Sequence, residues 1–423
     1  MKFTRSPRST VGIEWELQLI DKDSNELRQA ADHILTVAQS GDADTSMIHG
    51  EMMLNTIELV TRPHETIAGC TDDLKRGIDT LQPIIEPMRI ALASSGTHPF
   101  ANPVYQRVTD SERYAELVNR TRYWGRQMLL FGTHVHVGIE DRAKVLPILR
   151  AILTRFAQLQ ALTASSPFWN GKNTGYADNR AMVFQQLPTA GVPRQFEEWD
   201  ELKSYFNDMV KTGIISNFDE VRWDVRPSPK FGTIEFRVCD AATNVAEIGM
   251  AAAFSQCLVE YFSRKLDAGE TLPYLPPWFV DENKWRAARY GMDAELILDA
   301  DGNEEHVTDT LVRMVEVLMP IAEDLGCVEE LNMVHTVIDM EAPYRRLLRS
   351  GAYYNMSREA IVDFMIAEME AGHPLDPDHS DNQGIAALDA KTPAAYEPES
   401  TIPESTIPES TIPESAATEK GAE

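Results

Sequence analysis

The stretch that most constrains this chain is Val11–Asp21, V-G-I-E-W-E-L-Q-L-I-D. Ile13, Trp15, Leu17 and Leu19 alternate strictly with Glu14, Glu16 and Gln18. A period of two marks a β-strand with one apolar face and one polar face. Carboxylates at i and i+2 then stand on the same face, about 7 Å apart at a rise of ~3.3 Å per residue. An isolated E-x-E is an ordinary solvated strand face, since half-buried sheets alternate in this way. The pair gains meaning because other segments repeat the arrangement.

Ile57-Glu58-Leu59-Val60 alternates again, with Glu51 seven residues upstream of Glu58. In Phe131–Glu140, F-G-T-H-V-H-V-G-I-E, one face carries Thr133, Val135, Val137 and Ile139 and the other His134, His136 and Gly138. Trp223–Asp240 contains a Pro/Ser/Gly centre that predicts a turn between two strands. In the second of these, Ile234, Phe236 and Val238 face inward and Glu235 and Arg237 face the other way. Histidine and glutamate are not favoured strand formers, so four strands carrying them opposite apolar faces are hard to explain as solvated surface. If the strands are neighbours in one antiparallel sheet, these polar faces converge into a single bowl.

Such a bowl is a site for hard cations. Carboxylates and imidazoles without cysteine favour Mg²⁺ or Mn²⁺ over zinc. Charge repulsion argues the same way, because two carboxylates about 4 Å apart repel by ~4 kcal/mol at an effective dielectric of 20. Arg237 beside Glu235 places a guanidinium where it can clamp a transferring phosphoryl group. The chain has neither a Walker A sequence nor G-x-G-x-x-G, which excludes P-loop and Rossmann nucleotide sites. Carboxylates with H-x-H also suit metal-activated water, so a binuclear metal-dependent amide hydrolase is the alternative from the residues alone. An inactive binding protein is a third.

The chain has 423 residues and a formal net charge of −27. From Pro374 onward eleven acidic residues face only Lys391 and Lys420, leaving −9 there and −18 elsewhere. A surface of this sign argues against nucleic acid as a partner. Cys70, Cys239, Cys257 and Cys327 are widely spaced and form no C-x-x-C, the pattern of reduced cysteines in a cytoplasmic protein. No apolar h-region follows Lys2, Arg5 and Arg8, and no apolar run of about 18 residues spans a membrane.

Helical spacing is expected over Ala30–Ala38 and over His64–Ala93, the latter kinked or broken at Pro83 and Pro87. A long helix is expected after the Asp141 N-cap, with a core stripe from Val145 to Leu159. Ser165–Arg180 is expected to be a Gly/Asn-rich loop too polar for the core, and Glu197–Lys211 a helix. Further helices are expected over Val245–Lys265, over Thr308–Leu325 before Gly326, and over Ser357–Ala371 before Gly372. Tyr396-Glu-Pro-Glu-Ser precedes three copies of Thr-Ile-Pro-Glu-Ser ending at Ser415, a composition that cannot bury a core. The expected division is a domain over 1–373 and an acidic disordered tail over 374–423.

V-G-I-E-W-E-L, I-E-L-V-T, G-T-H-P-F, F-G-T-H-V-H-V-G, S-S-P-F-W-N-G-x-N-T-G-Y and W-D-V-R-P-S-P-K-F-G-T-I-E-F-R-V-C-D together resemble the type 2 glutamate–cysteine ligases, or carboxylate–amine ligases. The likeness runs from about Val11 to His373. It implies an α+β fold with the curved antiparallel sheet of the glutamine synthetase superfamily and helices on its convex face. It also implies ATP-dependent joining of glutamate to an amine such as cysteine through an acyl phosphate, with Mg²⁺ or Mn²⁺. By the same resemblance, the metal ligands are Glu14, Glu16, Glu51, Glu58, His134 and Glu235, with His136 nearer the nucleotide. Glu235 and Arg237 would carry catalysis, and Arg180 and Arg226 would bind a phosphate or a substrate carboxylate. The expected partners are small molecules, with no nucleic acid and no membrane, in a homodimer.

Overall fold

The structure, a computed structural model, describes residues 2–378 apart from 42, 43 and 355. The Thr-Ile-Pro-Glu-Ser repeats lie outside the described residues. The fold is built on the first strand, β1 (Val11–Asp21). After it come α1 (Ala31–Ser40), β2 (Ile48–Gly50), β3 (Thr56–Val60), α2 (Ile67–Ile85), β4 (Ile90–Ala93) and α3 (Glu112–Thr121). Next are β5 (Thr133–Gly138), α4 (Arg142–Ile152), α5 (Phe156–Thr163), the short β6 (Phe168–Trp169) and β7 (Lys172–Asn173), α6 (Asn179–Phe184) and α7 (Trp199–Lys211). The hairpin β8 (Val225–Ser228) and β9 (Thr233–Phe236) leads to α8 (Val245–Asp267) and α9 (Pro277–Tyr290). β10 (Glu295–Ile297), β11 (Glu304–His306), α10 (Val307–Leu325), α11 (Val328–Asp339), α12 (Pro343–Tyr353) and α13 (Arg358–Ala371) complete the described chain.

Six strands form an antiparallel sheet in the order β2-β3-β1-β5-β9-β8, and β4 pairs with β1 as a seventh. Gln18 is paired with both Thr56 of β3 and Ala93 of β4, so β4 continues the β5 side of β1. The apolar face expected from the alternation is buried: Ile13, Trp15, Leu17, Leu19, Ile57, Leu59, Val135, Val137, Ile234 and Phe236 all lie in one core. Helices α2 and α8 pack against this sheet. α8 is apolar nearly all round, which suits a helix enclosed by neighbours. The Trp15 indole donates to Ser94 Oγ at 3.0 Å and to the Ala242 carbonyl at 3.1 Å, so the largest core side chain has its polar atom satisfied.

The helix signals hold at their ends. Asp141 accepts from the Ala143 amide and Ser357 from the Ala360 amide, while Gly326 and Gly372 close α10 and α13 at φ 70° and 74°. The segment over His64–Ala93 breaks where Pro87 predicts, α2 ending at Ile85, but beyond the break Ile90–Ala93 is a strand buried on both faces and not more helix. The long helix after Asp141 breaks near Leu153, where α4 and α5 meet at 63°. The Ser165–Arg180 segment also runs deeper than a polar loop should: Ser165, Ser166, Phe168, Asp178 and Arg180 are buried.

Behind the sheet, Arg346 is fully buried and binds Glu368 Oε1 at 2.6 Å and Glu247 Oε2 at 2.7 Å, tying α12 to α13 and α8. Past α13, Leu375 packs on the core and Arg349 pairs with Asp376 and Asp378. Among the described residues no single helix is long and apolar enough to cross a membrane.

Candidate active site

Residues directly opposed on antiparallel strands share a face of the sheet. The register therefore builds the polar face pair by pair. Glu16 opposes Glu58, and Glu58 opposes His49 on its other side. Glu14 opposes His134, His136 opposes Glu235, and Glu235 opposes Arg226. The four signals scattered over the sequence thus become one continuous surface lining a cavity of about 810 Å³. Glu14, Glu16, Glu51, Glu58, His134, His136, Arg180, Arg226, Glu235 and Arg237 all line it. Glu51 follows β2 directly rather than lying in a strand.

At the centre, His134 Nδ1 lies 2.9 Å from Glu14 Oε2, and His136 Nε2 lies 3.2 Å from Glu14 Oε1. These imidazoles outweigh burial and hold the Glu14 carboxyl well below its ordinary value. Glu235 is gripped by Arg226, with Nε to Oε2 at 2.7 Å and Nη2 to Oε1 at 3.2 Å, and by Arg237 on Oε1. Against the cost of burial, Arg226, Arg237 and His136 keep Glu235 ionised. All three nitrogens of the Arg226 guanidinium are engaged, Nη1 by the carbonyls of Asp219 and Val221. His134 is pushed down to about 4 by burial and then by Arg237. His136 is raised: burial opposes this, but Glu235 and Glu14 win.

On the other flank the balance reverses. Burial, then the charge of Glu51, pushes Glu16 up to about 8. Burial, then Glu14, Glu51 and Glu16, raises Glu58 well above its ordinary value. This flank holds more negative charge than its own cations compensate.

Three sets of donors each gather ligand atoms within 4.8 Å of one another: Glu14/Glu58/His134, Glu14/His136/Glu235 and Glu16/Glu51/Glu58. Every residue expected to bind metal belongs to at least one set. Nε2 of His134 is buried without a hydrogen bond, as a ligand atom waiting for a partner would be. Oxygen-rich sets with imidazole fit Mg²⁺ or Mn²⁺. A supporting layer orients them. Thr233 Oγ1 lies 2.9 Å from His136 Nδ1, fixing that ring so that Nε2 faces Glu14. The Gly132 amide donates to Glu16 Oε2 at 2.7 Å, and the Tyr114 hydroxyl of α3 donates to Glu51 Oε2 at 2.8 Å.

Sequence reasoning did not find Tyr114, Gly132, Thr233 or Asp240, which belong to this layer. Asp240 is buried; its Oδ2 accepts from the Ser165 amide at 2.8 Å and from Ser166 Oγ at 2.7 Å, and its Oδ1 stands 4.0 Å from Arg180 Nη1. Gly132 was visible within F-G-T-H, but only the fold shows that a Cβ there would overlap Arg180 Nη2 and lie 3.1 Å from His134 Nε2.

Comparison with known proteins identifies the family. The family described as glutamate–cysteine ligase family 2 matches residues 10–367. A protein of Paenarthrobacter aurescens strain TC1, provisionally named glutamate–cysteine ligase 2-2, is 47% identical over 376 residues, covering 88% of this chain and 98% of its own. A Mycobacterium tuberculosis protein with the provisional name glutamate–cysteine ligase 2 is 47% identical over 367 residues, covering 87% and 96%. Among solved structures, glutamate–cysteine ligase from Francisella tularensis in complex with AMP shares the fold at a TM-score of 0.62 and 14% identity, covering 92% of this chain and 95% of its own. The bifunctional glutathione synthetase of Pasteurella multocida shares it at 0.60 and 14% identity, over 86% of this chain and 52% of its own. The chain belongs to glutamate–cysteine ligase family 2.

Proposed function

We propose that this protein is an ATP-dependent carboxylate–amine ligase that joins the γ-carboxylate of glutamate to an amine, with cysteine as the first amine to test. The observation that carries this is the convergence of three hard-cation donor sets and the Glu235–Arg237 pair on one sheet face. The names of the relatives and the AMP in the Francisella neighbour support it. The family match over 10–367 supports treating 1–373 as the catalytic unit. The Francisella likeness supports a curved sheet of the glutamine synthetase type with helices on its convex side.

In the reaction, a carboxylate oxygen forms a bond to the γ-phosphorus of ATP as the bond to ADP breaks. The amine nitrogen then takes the acyl carbon as phosphate leaves. Glu14, Glu16, Glu51, Glu58, His134 and Glu235 would hold Mg²⁺ or Mn²⁺, with His136 on the nucleotide side. Such cations neutralise the phosphate and carboxylate oxygens that come together. Arg237, its head fixed by Glu235, stabilises the charge on the transferring phosphoryl group. Arg226 keeps Glu235 in place, since its donors are already engaged. Little covalent chemistry falls to the protein; positioning on a rigid sheet supplies most of the acceleration.

The test is coupled ADP release with glutamate and Mg²⁺ held constant across a series of amines, followed by mass spectrometry of the product. ADP formation that requires both acid and amine is the expected result. Amide cleavage without ATP would contradict it and favour a hydrolase.

A further inference from the structure

α3 walls the cavity with one face only. Tyr114, Leu117 and Thr121, spaced i, i+3 and i+7, line the cavity. Glu112, Ala115, Asn119 and Arg122 form the opposite stripe and are exposed. None of the described side chains of α3 is buried. A helix of 10 residues draws its stability from packing rather than from its own hydrogen bonds. The inner face meets a cavity and reaches Glu51 through the Tyr114 hydroxyl at 2.8 Å. The outer face is open. The turn Trp124–Gln127 folds straight back on α3: a Cβ at Gly125 would overlap Thr121 Oγ1 and stand 3.1 Å from Val118 Cα. This turn also packs on the turn Pro103–Tyr105. Together with Tyr123 they expose Val104 (69%), Tyr105 (75%), Tyr123 (65%) and Trp124 (41%). At ~200 Å² for a whole aromatic side chain, these leave roughly 400 Å² of apolar surface in one place, as much as the largest patch on a typical monomer.

The charge of this segment singles out its occupant. Residues 103–127 hold five arginines and three acids, a net positive stretch in a chain of net charge −27. Two copies with so much negative charge meet at least cost where the surface is locally basic. The sign also changes along the helix: Asp110, Glu112 and Glu116 precede Arg120, Arg122 and Arg126. Among the described residues Asp110, Glu112, Glu116, Arg122 and Arg126 form no ion pair. A helix that runs from acidic to basic is complementary to its own copy laid antiparallel, as a two-fold interface requires. Turned about the midpoint of the outer stripe, Ala115 faces the partner's Asn119 and Glu112 faces the partner's Arg122. The small side chain of Ala115 lets two helices approach closely there. The aromatic patch supplies about half of the ~800 Å² per copy that a standard interface buries, and the outer face of α3 continues it. An unrelated acidic protein would match the net charge but not the change of sign along α3.

We propose that the outer face of α3 and the two turns beside it form a two-fold interface with a second copy of this chain, and that this pairing braces the helix that walls the cavity. The pairing stands whether or not the cavity performs ligation. Sedimentation velocity on the full chain tests it. Wild type should sediment as a dimer at micromolar concentration. Tyr105→Asp combined with Tyr123→Asp should sediment as a monomer that keeps its thermal transition. Glu112→Arg alone and Arg122→Glu alone should each weaken the dimer by about 5- to 30-fold, because a two-fold axis makes each contact twice. Combining them reverses both charges and should return the dissociation constant to within about threefold of wild type. If the double-tyrosine variant loses its thermal transition, the charge swap decides alone, since it leaves the net charge unchanged. In hydrogen exchange, the α3 amides should exchange faster in the monomeric variant than in wild type. A monomeric wild type, a dimer untouched by the tyrosine substitutions, or a charge swap that fails to restore pairing overturns the interface. Equal α3 exchange in a monomeric variant and in the wild-type dimer overturns the bracing.

Discussion

Adding one methyl group at Gly132 perturbs the site without changing any charge. Gly132 does not sit at a left-handed φ, so alanine meets no backbone strain there. The backbone itself cannot retreat. Its amide is held by Glu16 Oε2 at 2.7 Å, its carbonyl accepts the Glu16 amide at 3.1 Å, and it bridges to Asp240. The new Cβ would overlap Arg180 Nη2 and lie 3.0 Å from its Cζ. What must give is the far end of a long side chain, so the cost in stability stays near the low end of overpacking, about 1 kcal/mol. The cost in function is larger. Displacing the guanidinium forfeits one charge-assisted contact, ~1.5–3 kcal/mol, or about 10- to 150-fold in kcat/KM. Gly132→Ala should therefore show a thermal midpoint within a few degrees of wild type, by differential scanning fluorimetry, and a large loss in coupled ADP release at low glutamate. Wild-type kcat/KM in a folded Gly132→Ala protein would refute the reasoning, because it would mean the methyl is absorbed without moving Arg180.

Other consequences can be measured in the same way. Glu235→Gln keeps the shape but removes the charge that holds Arg226 and Arg237, so ADP release should vanish and the unfolding free energy, read by urea denaturation, should fall by about 3–5 kcal/mol. Arg346→Met strips the shared partner from Glu247 and Glu368 and should cost a similar ~3–5 kcal/mol, read by urea unfolding, with the site residues untouched. His98 is buried as a neutral ring: Nε2 bonds the Asn25 carbonyl at 3.0 Å and Nδ1 accepts the Ala101 amide at 3.0 Å. Burial pushes it down from 6.5 to about 4. The unfolded chain then binds a proton that the folded chain refuses, so stability is full above pH 6.5 and is lost as pH falls from 6.5 to 4, by about 3 kcal/mol in all. His98→Gln should flatten that part of the stability–pH curve.

The alternation in Val11–Asp21 and Phe131–Glu140 was enough to place the sheet's two faces, because period two leaves no choice once one face is buried. The metal-capable residues followed from the same logic. β4 escaped because Ile90–Ala93 is buried on both faces and so shows no alternation, although Pro87 marks the end of the helix before it. The break between α4 and α5 has no proline or glycine at Leu153–Arg155 to announce it. α3, α6, α9, α11 and α12 lie outside the helices expected from the sequence. The buried polar segment around Ser166 and Asp178 misled through composition, since its polar groups satisfy one another across long stretches of chain. Tyr114, Thr233 and Asp240 act through contacts to residues far away in sequence, and no local pattern records these.

The shared polar face is tested most directly by counting Mn²⁺ ions bound to the full chain in the presence of a non-hydrolysable ATP analogue, by electron paramagnetic resonance. About two ions per chain, close enough to couple as a pair some 3.5–4 Å apart, are expected in wild type. Glu14→Gln and Glu58→Gln, whose carboxylates serve more than one donor set, should each lose ions. Full, unaltered Mn²⁺ binding in both variants, or none in wild type, would contradict the account.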